Sequence, residues 1–153
     1  MQFPIVRLFG VPVPIGGVVA AEVMTPWGRV HHKGIVSDRY GSDGQPMILH
    51  ASDRFGYVVE TEAADFALRA TGPVYFVGYA GEVPPDEVLR RARSRLGEKY
   101  RLLKNNCEHF VSGVHGLEPT SPQLRSSVGL TVTALATVAV IGGLIALAAS
   151  AKT

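Results

Sequence analysis

The sequence predicts an α+β fold, an antiparallel sheet with packed helices, followed by an apolar C-terminal helix. Three observations carry this reading. Short β-rich runs separated by turn residues fill the region from about Gly16 to Tyr79. Two helical patterns follow, one after Pro84-Pro85 and one beginning near Cys107. Between Arg125 and Lys152 there is no charged residue. The chain has 153 residues, of which 46% are hydrophobic and 18% charged. The low charge fraction and a mean hydropathy of +0.18 exclude a disordered chain.

Taken in order, the first apolar run, Leu8 to Ala21, resembles the apolar part of a signal peptide. Two prolines and three glycines interrupt it, so it reads instead as a strand with flanking turns. Candidate strands are Gly17–Val23, Arg29–Ser37, Met47–Ala51, Tyr57–Val59 and Val74–Tyr79. They are bounded by Thr25-Pro26-Trp27-Gly28, by the segment from Asp38 to Gly44, and by Ser52 to Gly56. Glu62–Ala70 reads as a short helix. The next helix is expected to be capped by Asp86, to bury Val88, Leu89, Ala92 and Leu96, and to stop at Gly97. After an extended piece near Tyr100–Leu103, Asn106 is placed to cap a helix whose apolar side is Phe110, Val111 and Val114.

The uncharged stretch Val128 to Ser150 is about 23 residues, enough to cross about 30 Å of hydrocarbon. It predicts a transmembrane anchor over 126–153 behind a domain of residues 1–125. Ala139 with Gly143 and Gly142 with Ala146 form small-residue pairs that could seat another helix, so self-association through the anchor is expected. Without a cleaved signal, the domain would be cytoplasmic. The net charge of +2 is too mild to argue for nucleic acid. The basic residues do cluster at Arg90, Arg91, Arg93, Arg95, Lys99, Arg101 and Lys104, a face suited to phosphate headgroups or simply to solvent.

The chain has one cysteine, Cys107, which excludes an internal disulfide and a multi-cysteine metal site. No cofactor or metal is expected. A cysteine in the first turn of a helix is exposed to the macrodipole and to unbonded N–H groups, which favour the thiolate. The same N–H groups could hold an oxyanion. His32 and His50, each on a strand, could supply a base and a group that orients it. Spacing alone leaves a small buried hydrophobe as the plain alternative for Cys107.

HHKGIVSD, then ILH, then NNCEHFV resemble the lecithin:retinol acyltransferase-like family of the NlpC/P60 superfamily. EVLRRARSRLGEKYRLLKNNCEHF is similar to that family's helix and its approach to the cysteine, and Ser121-Pro122-Gln123-Leu124 resembles a segment beyond it. The resemblance covers roughly residues 15 to 125, plus the tail. It implies a circularly permuted papain-like fold with Cys107 as nucleophile, His32 as base and His50 as the residue that orients or polarises the base. His31 is expected on the opposite strand face, His109 to be structural, Glu108 to bond locally or face solvent, and His115 to be exposed. The implied activity is acyl transfer or phospholipase A-type hydrolysis of a phospholipid or other acyl ester at the membrane, through a thioester on Cys107. A peptidase or amidase of the same permuted class, or a membrane-tethered module without activity, are the alternatives. The chain departs from the family pattern in the insertion Asp38–Gln45 between the two histidine strands, in Val36 where an aromatic is common, and in Ser37-Asp38.

Overall fold

The computed structural model describes residues 3–102 and 106–117. The chain divides into two compact units, Met1–Thr120 and Ser121–Thr153. The second unit, and with it the expected anchor, lies outside the described residues. Among the described residues no helix is long and apolar enough to cross a membrane.

Among the described residues of the first unit are seven strands and three helices: β1 (Ile5–Leu8), β2 (Val11–Pro14), β3 (Val18–Thr25), β4 (Gly28–Tyr40), β5 (Pro46–Ser52), β6 (Tyr57–Thr61), α1 (Ala63–Ala67), β7 (Tyr75–Gly78), α2 (Pro85–Ser94) and α3 (Cys107–Val114). β3 to β7 form one antiparallel sheet in the order β6-β5-β4-β3-β7. The α+β expectation and the positions of its strands are therefore met.

Alternation along the strands sends successive side chains to opposite faces, and both faces are covered. Val18, Ile35, Leu49, Ala51 and Val58 pack under α2 and α3 with Val88, Leu89, Ala92, Phe110, Val111 and Val114. Val19, Ala21, Val36 and Ile48 pack on the other face with Ala63 and Phe66 of α1 and with Leu8 and Val13 of the N-terminal hairpin.

That hairpin is a correction to the sequence reading, which took the first apolar run as one strand with turns. β1 and β2 pair through a two-residue turn, Phe9-Gly10, with φ of +48° and +83°. Two positive φ values are the pattern of a type I′ turn, which suits the twist of the flanking strands. The Asp38–Gln45 insertion supports this turn: the side-chain oxygen of Gln45 accepts from Phe9 N–H at 2.7 Å. The insertion lengthens β4, and its extra residues are absorbed by a register shift between Val36 and Tyr40.

α2 is capped by Pro84, with Pro85 at the first helical position, so Asp86 lies inside the first turn and is not the cap. Proline suits that position because its missing N–H would have no helical partner there. The helix ends at Ser94, and Leu96 falls in the following turn, 42% exposed and not part of the buried stripe. The basic cluster is largely paired within the domain. Arg90 and Arg91 share Glu87, Arg95 pairs with Glu98, and Arg93 reaches Asp38 and Glu60.

Candidate active site

β4 and β5 carry the two histidines to the same sheet face. His32, Gly34 and Val36 share it by alternation, as do Ile48 and His50. His32 Nε2 lies 2.8 Å from His50 Nδ1, and His50 Nε2 lies 2.9 Å from Thr61 Oγ1. The Asp38–Gln45 insertion therefore leaves the histidines within hydrogen-bond reach. Phe66 of α1 stacks on the His32 ring at 5.0 Å and meets His50 edge-on at 5.2 Å. Gly34 makes this approach possible: a Cβ there would sit 2.4 Å from Ile48 Cγ2 and 3.0 Å from the Phe66 ring.

The nucleophile candidate comes from the other face. Asn106 caps α3, its Oδ1 accepting from His109 N–H at 3.0 Å and contacting His109 Nδ1 at 2.9 Å. Cys107 then occupies the first turn, 7% exposed. β5 pairs with β4 at Ile35, Val36 and Tyr40, so the first part of β4 has only β3 as a ladder partner. The Cys107 thiol sits at that edge, with Sγ 3.8 Å from the His31 carbonyl oxygen, a bond in which the thiol donates. The Lys33 N–H also points toward the sulfur. Lys33 Nζ makes an ion pair with Glu108 at 2.9 Å, with Glu108 buried. This pair ties the strand of His32 to the helix of Cys107.

The structure thus joins His32 to His50 directly and brings Cys107 against the backbone on either side of His32. The thiol's hydrogen bond is to that backbone and not to the His32 ring. His31 is exposed and meets the Tyr75 hydroxyl at 2.8 Å, consistent with its expected opposite face. His115 corrects the expectation of exposure: it is 1% exposed, edge-on to Tyr79 at 4.9 Å, and burial lowers its pKa. Glu108 is held by Lys33 and does not face solvent.

Protonation is also corrected. The helix N-terminus was expected to favour the thiolate, yet burial pushes the Cys107 thiol up to about 11. The physical reason is one of scale. A macrodipole contributes about 0.3–1 kcal/mol, while full burial of a charge can move a pKa by about 3–5 units at about 1.4 kcal/mol each. Burial also lowers His32 to about 4 and His50 to about 3, the latter helped by the neighbouring His32. At neutral pH the three groups are a thiol and two uncharged imidazoles.

Thr61, Phe66, Gly34 and the Lys33–Glu108 pair were not found from the sequence. A glycine inside a strand pattern is the one available signal, since it marks a close approach. A shallow apolar groove of about 310 Å³ is lined by residues including Phe9, Val11, Ala70 and Val74, and none of the three candidate residues lines it.

The described unit is an α+β domain that sets a cysteine in the first turn of a helix against a strand carrying one of two hydrogen-bonded histidines. Residues 42–116 match the family model for lecithin retinol acyltransferase, a span that holds His50 and Cys107 and starts after His32. The chain is similar to phospholipase A and acyltransferase 3 of Mus musculus, with 34% identity over 65 residues, covering 39% of this chain and 40% of that protein. It spans about 40% of the length of this curated relative. No solved structure matches the chain.

Proposed function

We propose that this chain is a lecithin retinol acyltransferase-type enzyme that moves acyl groups from lipid esters through a thioester on Cys107. The observation that carries the reading is the His32–His50 pair at 2.8 Å, with His32 on the strand whose backbone meets the Cys107 thiol. The family match over residues 42–116 supports it. So does the similarity to a protein named for phospholipase A and acyltransferase activity.

His32 Nε2 is engaged by His50, so Nδ1 is the atom left to accept a proton. Because the resting pair is a thiol and a neutral imidazole, proton transfer accompanies attack. Sγ–H gives its proton to His32 Nδ1 as sulfur bonds to the ester carbonyl carbon. The Cys107 N–H at the helix end is placed to stabilise the resulting oxyanion. Collapse breaks the C–O ester bond, and the leaving alkoxide takes the proton from His32. Water, or an amine or alcohol acceptor, then gives a proton to His32 as it attacks the thioester. The thiolate leaves and is reprotonated. In this reading the domain is of the permuted papain-like class, and the apolar stretch Val128 to Ser150 holds it at a membrane, where lipid esters are concentrated. The small-residue pairs of that stretch would serve self-association.

The test is incubation of the full chain with mixed phospholipid vesicles, followed by intact-mass analysis of protein and lipids. An acyl adduct on the wild type, absent in a folded Cys107→Ser chain, is expected. No adduct with any phospholipid or neutral lipid ester would overturn the proposal, and cleavage of soluble peptides without lipid would favour the amidase alternative.

A further inference from the structure

A neutral histidine makes an ambiguous third member. Unlike a carboxylate it can either donate or accept through Nδ1. If His50 carried its proton on Nδ1, it would donate to His32 Nε2. His32 would then hold its own proton on Nδ1 and could not take one from a thiol. The opposite order leaves His32 Nδ1 bare. Something beyond the pair must choose between them, and β6 supplies a group for it.

The β5–β6 register places Val59 opposite His50 and Thr61 opposite Ile48. Thr61 is thus the diagonal neighbour of His50 on the same face, within reach across the sheet. Its Oγ1 is 2.9 Å from His50 Nε2, and His50 is 2% exposed. Thr61 is itself only partly buried, so its hydroxyl proton can turn to solvent while its oxygen faces the ring. An N–H buried without an acceptor costs about 1–3 kcal/mol, which an oxygen at this distance avoids. Resting on the reading given above, we infer that Thr61 is a positioning residue. It accepts from His50 Nε2–H, so that His50 Nδ1 accepts from His32 Nε2–H and His32 Nδ1 stands unprotonated.

Thr61→Val keeps the shape and removes the acceptor. The favoured order then inverts, because a bare ring nitrogen is easier to leave unpartnered than an N–H. The experiment records long-range proton–nitrogen imidazole spectra of the full chain in detergent micelles, together with single-turnover acylation by phospholipid. The wild type should show protons on Nε2 of both His32 and His50. Thr61→Val should move them toward Nδ1 and slow acylation about tenfold, with little change in KM, and Thr61→Ser should restore both. Unchanged tautomers in Thr61→Val, or protons on Nδ1 in the wild type, would overturn the inference, as would loss of rate in Thr61→Ser with the hydroxyl present. If Thr61→Val does not fold, the wild-type spectrum and Thr61→Ser decide alone. If no lipid acylates the wild type, the proposed function fails, and the spectra still decide the role of Thr61.

Discussion

The sheet carries two polar clusters, one on each face, and they are stabilised in opposite ways. Under α2, Arg93 donates to Ser37, Asp38 and Glu60, Ser37 donates to Glu60 at 2.6 Å, and Arg39 reaches Glu60 at 3.0 Å. The charges there pair with one another, although Arg93 Nε is buried without a hydrogen-bond partner among the described residues. Hydrogen bonding to Arg93 holds Asp38 below the usual carboxylate range, and the Arg93 and Ser37 contacts hold Glu60 down against its burial. Under α1, His32 and His50 have a phenyl ring and each other but, among the described residues, no carboxylate within hydrogen-bond distance, so burial drives both to the neutral form. Glu60 and Thr61, adjacent on β6, serve one cluster each. The two clusters differ in depth as well as in counter-charge: Asp38 and Arg39 of the charged one are exposed, whereas His50 is buried.

The largest expected effect comes from breaking the charged side. Arg93→Met removes the charge-assisted bonds to Asp38 and Glu60, leaving Glu60 with Arg39 and Ser37, and should cost about 1.5–3 kcal/mol of stability, read from urea unfolding, while the histidine pair keeps its tautomers. Acidification acts on the neutral side. Both histidines have folded pKa values below their unfolded value of about 6.5, so below that pH the unfolded chain binds more protons. Their contribution is present above pH 6.5 and is lost as pH falls toward about 4 for His32 and about 3 for His50. The slope is at most about 1.4 kcal/mol per pH unit for each histidine. Urea midpoints between pH 7 and 5 should fall for the wild type, and less steeply for His50→Gln. The carboxylates of the charged cluster lose their share only at lower pH.

A smaller effect follows from Gly34→Ala. Its Cβ would press on Ile48 and the Phe66 ring, costing about 1–3 kcal/mol and shifting the His32 ring resonances. The smallest is expected at His31, one residue from His32 but on the exposed side. His31→Ala should change stability by less than about 0.5 kcal/mol and leave acyl-adduct formation intact. A large loss there would erase the distinction between the two faces.

Much of this was legible in the sequence. Turn residues marked the five sheet strands, and the Asn106-Cys107 pair marked a capped helix. His32 and His50 stood out because HHKGIVSD and ILH resemble the two histidine strands of a known family; strand position alone does not separate His32 from His31. Thr61 and Phe66 did not, because their roles depend on strand register and on which helix covers which face, neither of which is a local property. The protonation of Cys107 was misjudged for a similar reason: a helix end can be read along the chain, whereas burial is produced by every element packed around it. The N-terminal hairpin was hidden by prolines that read as interruptions. The ion pairs that quiet the basic helix were within reach, since Glu87 with Arg90 and Arg91 follows the three- and four-residue spacing of a helix surface.

The thiol of Cys107 occupies the edge of β4 where a neighbouring strand would dock, and it is fastened to the His31 carbonyl by its own hydrogen. In the proposed reaction that hydrogen is the one surrendered first. An acylated sulfur has nothing left to donate, so each turnover unlatches the nucleophile from the sheet and each deacylation closes the latch again. The Lys33–Glu108 pair, which involves no sulfur, keeps helix and strand together through both halves of the cycle.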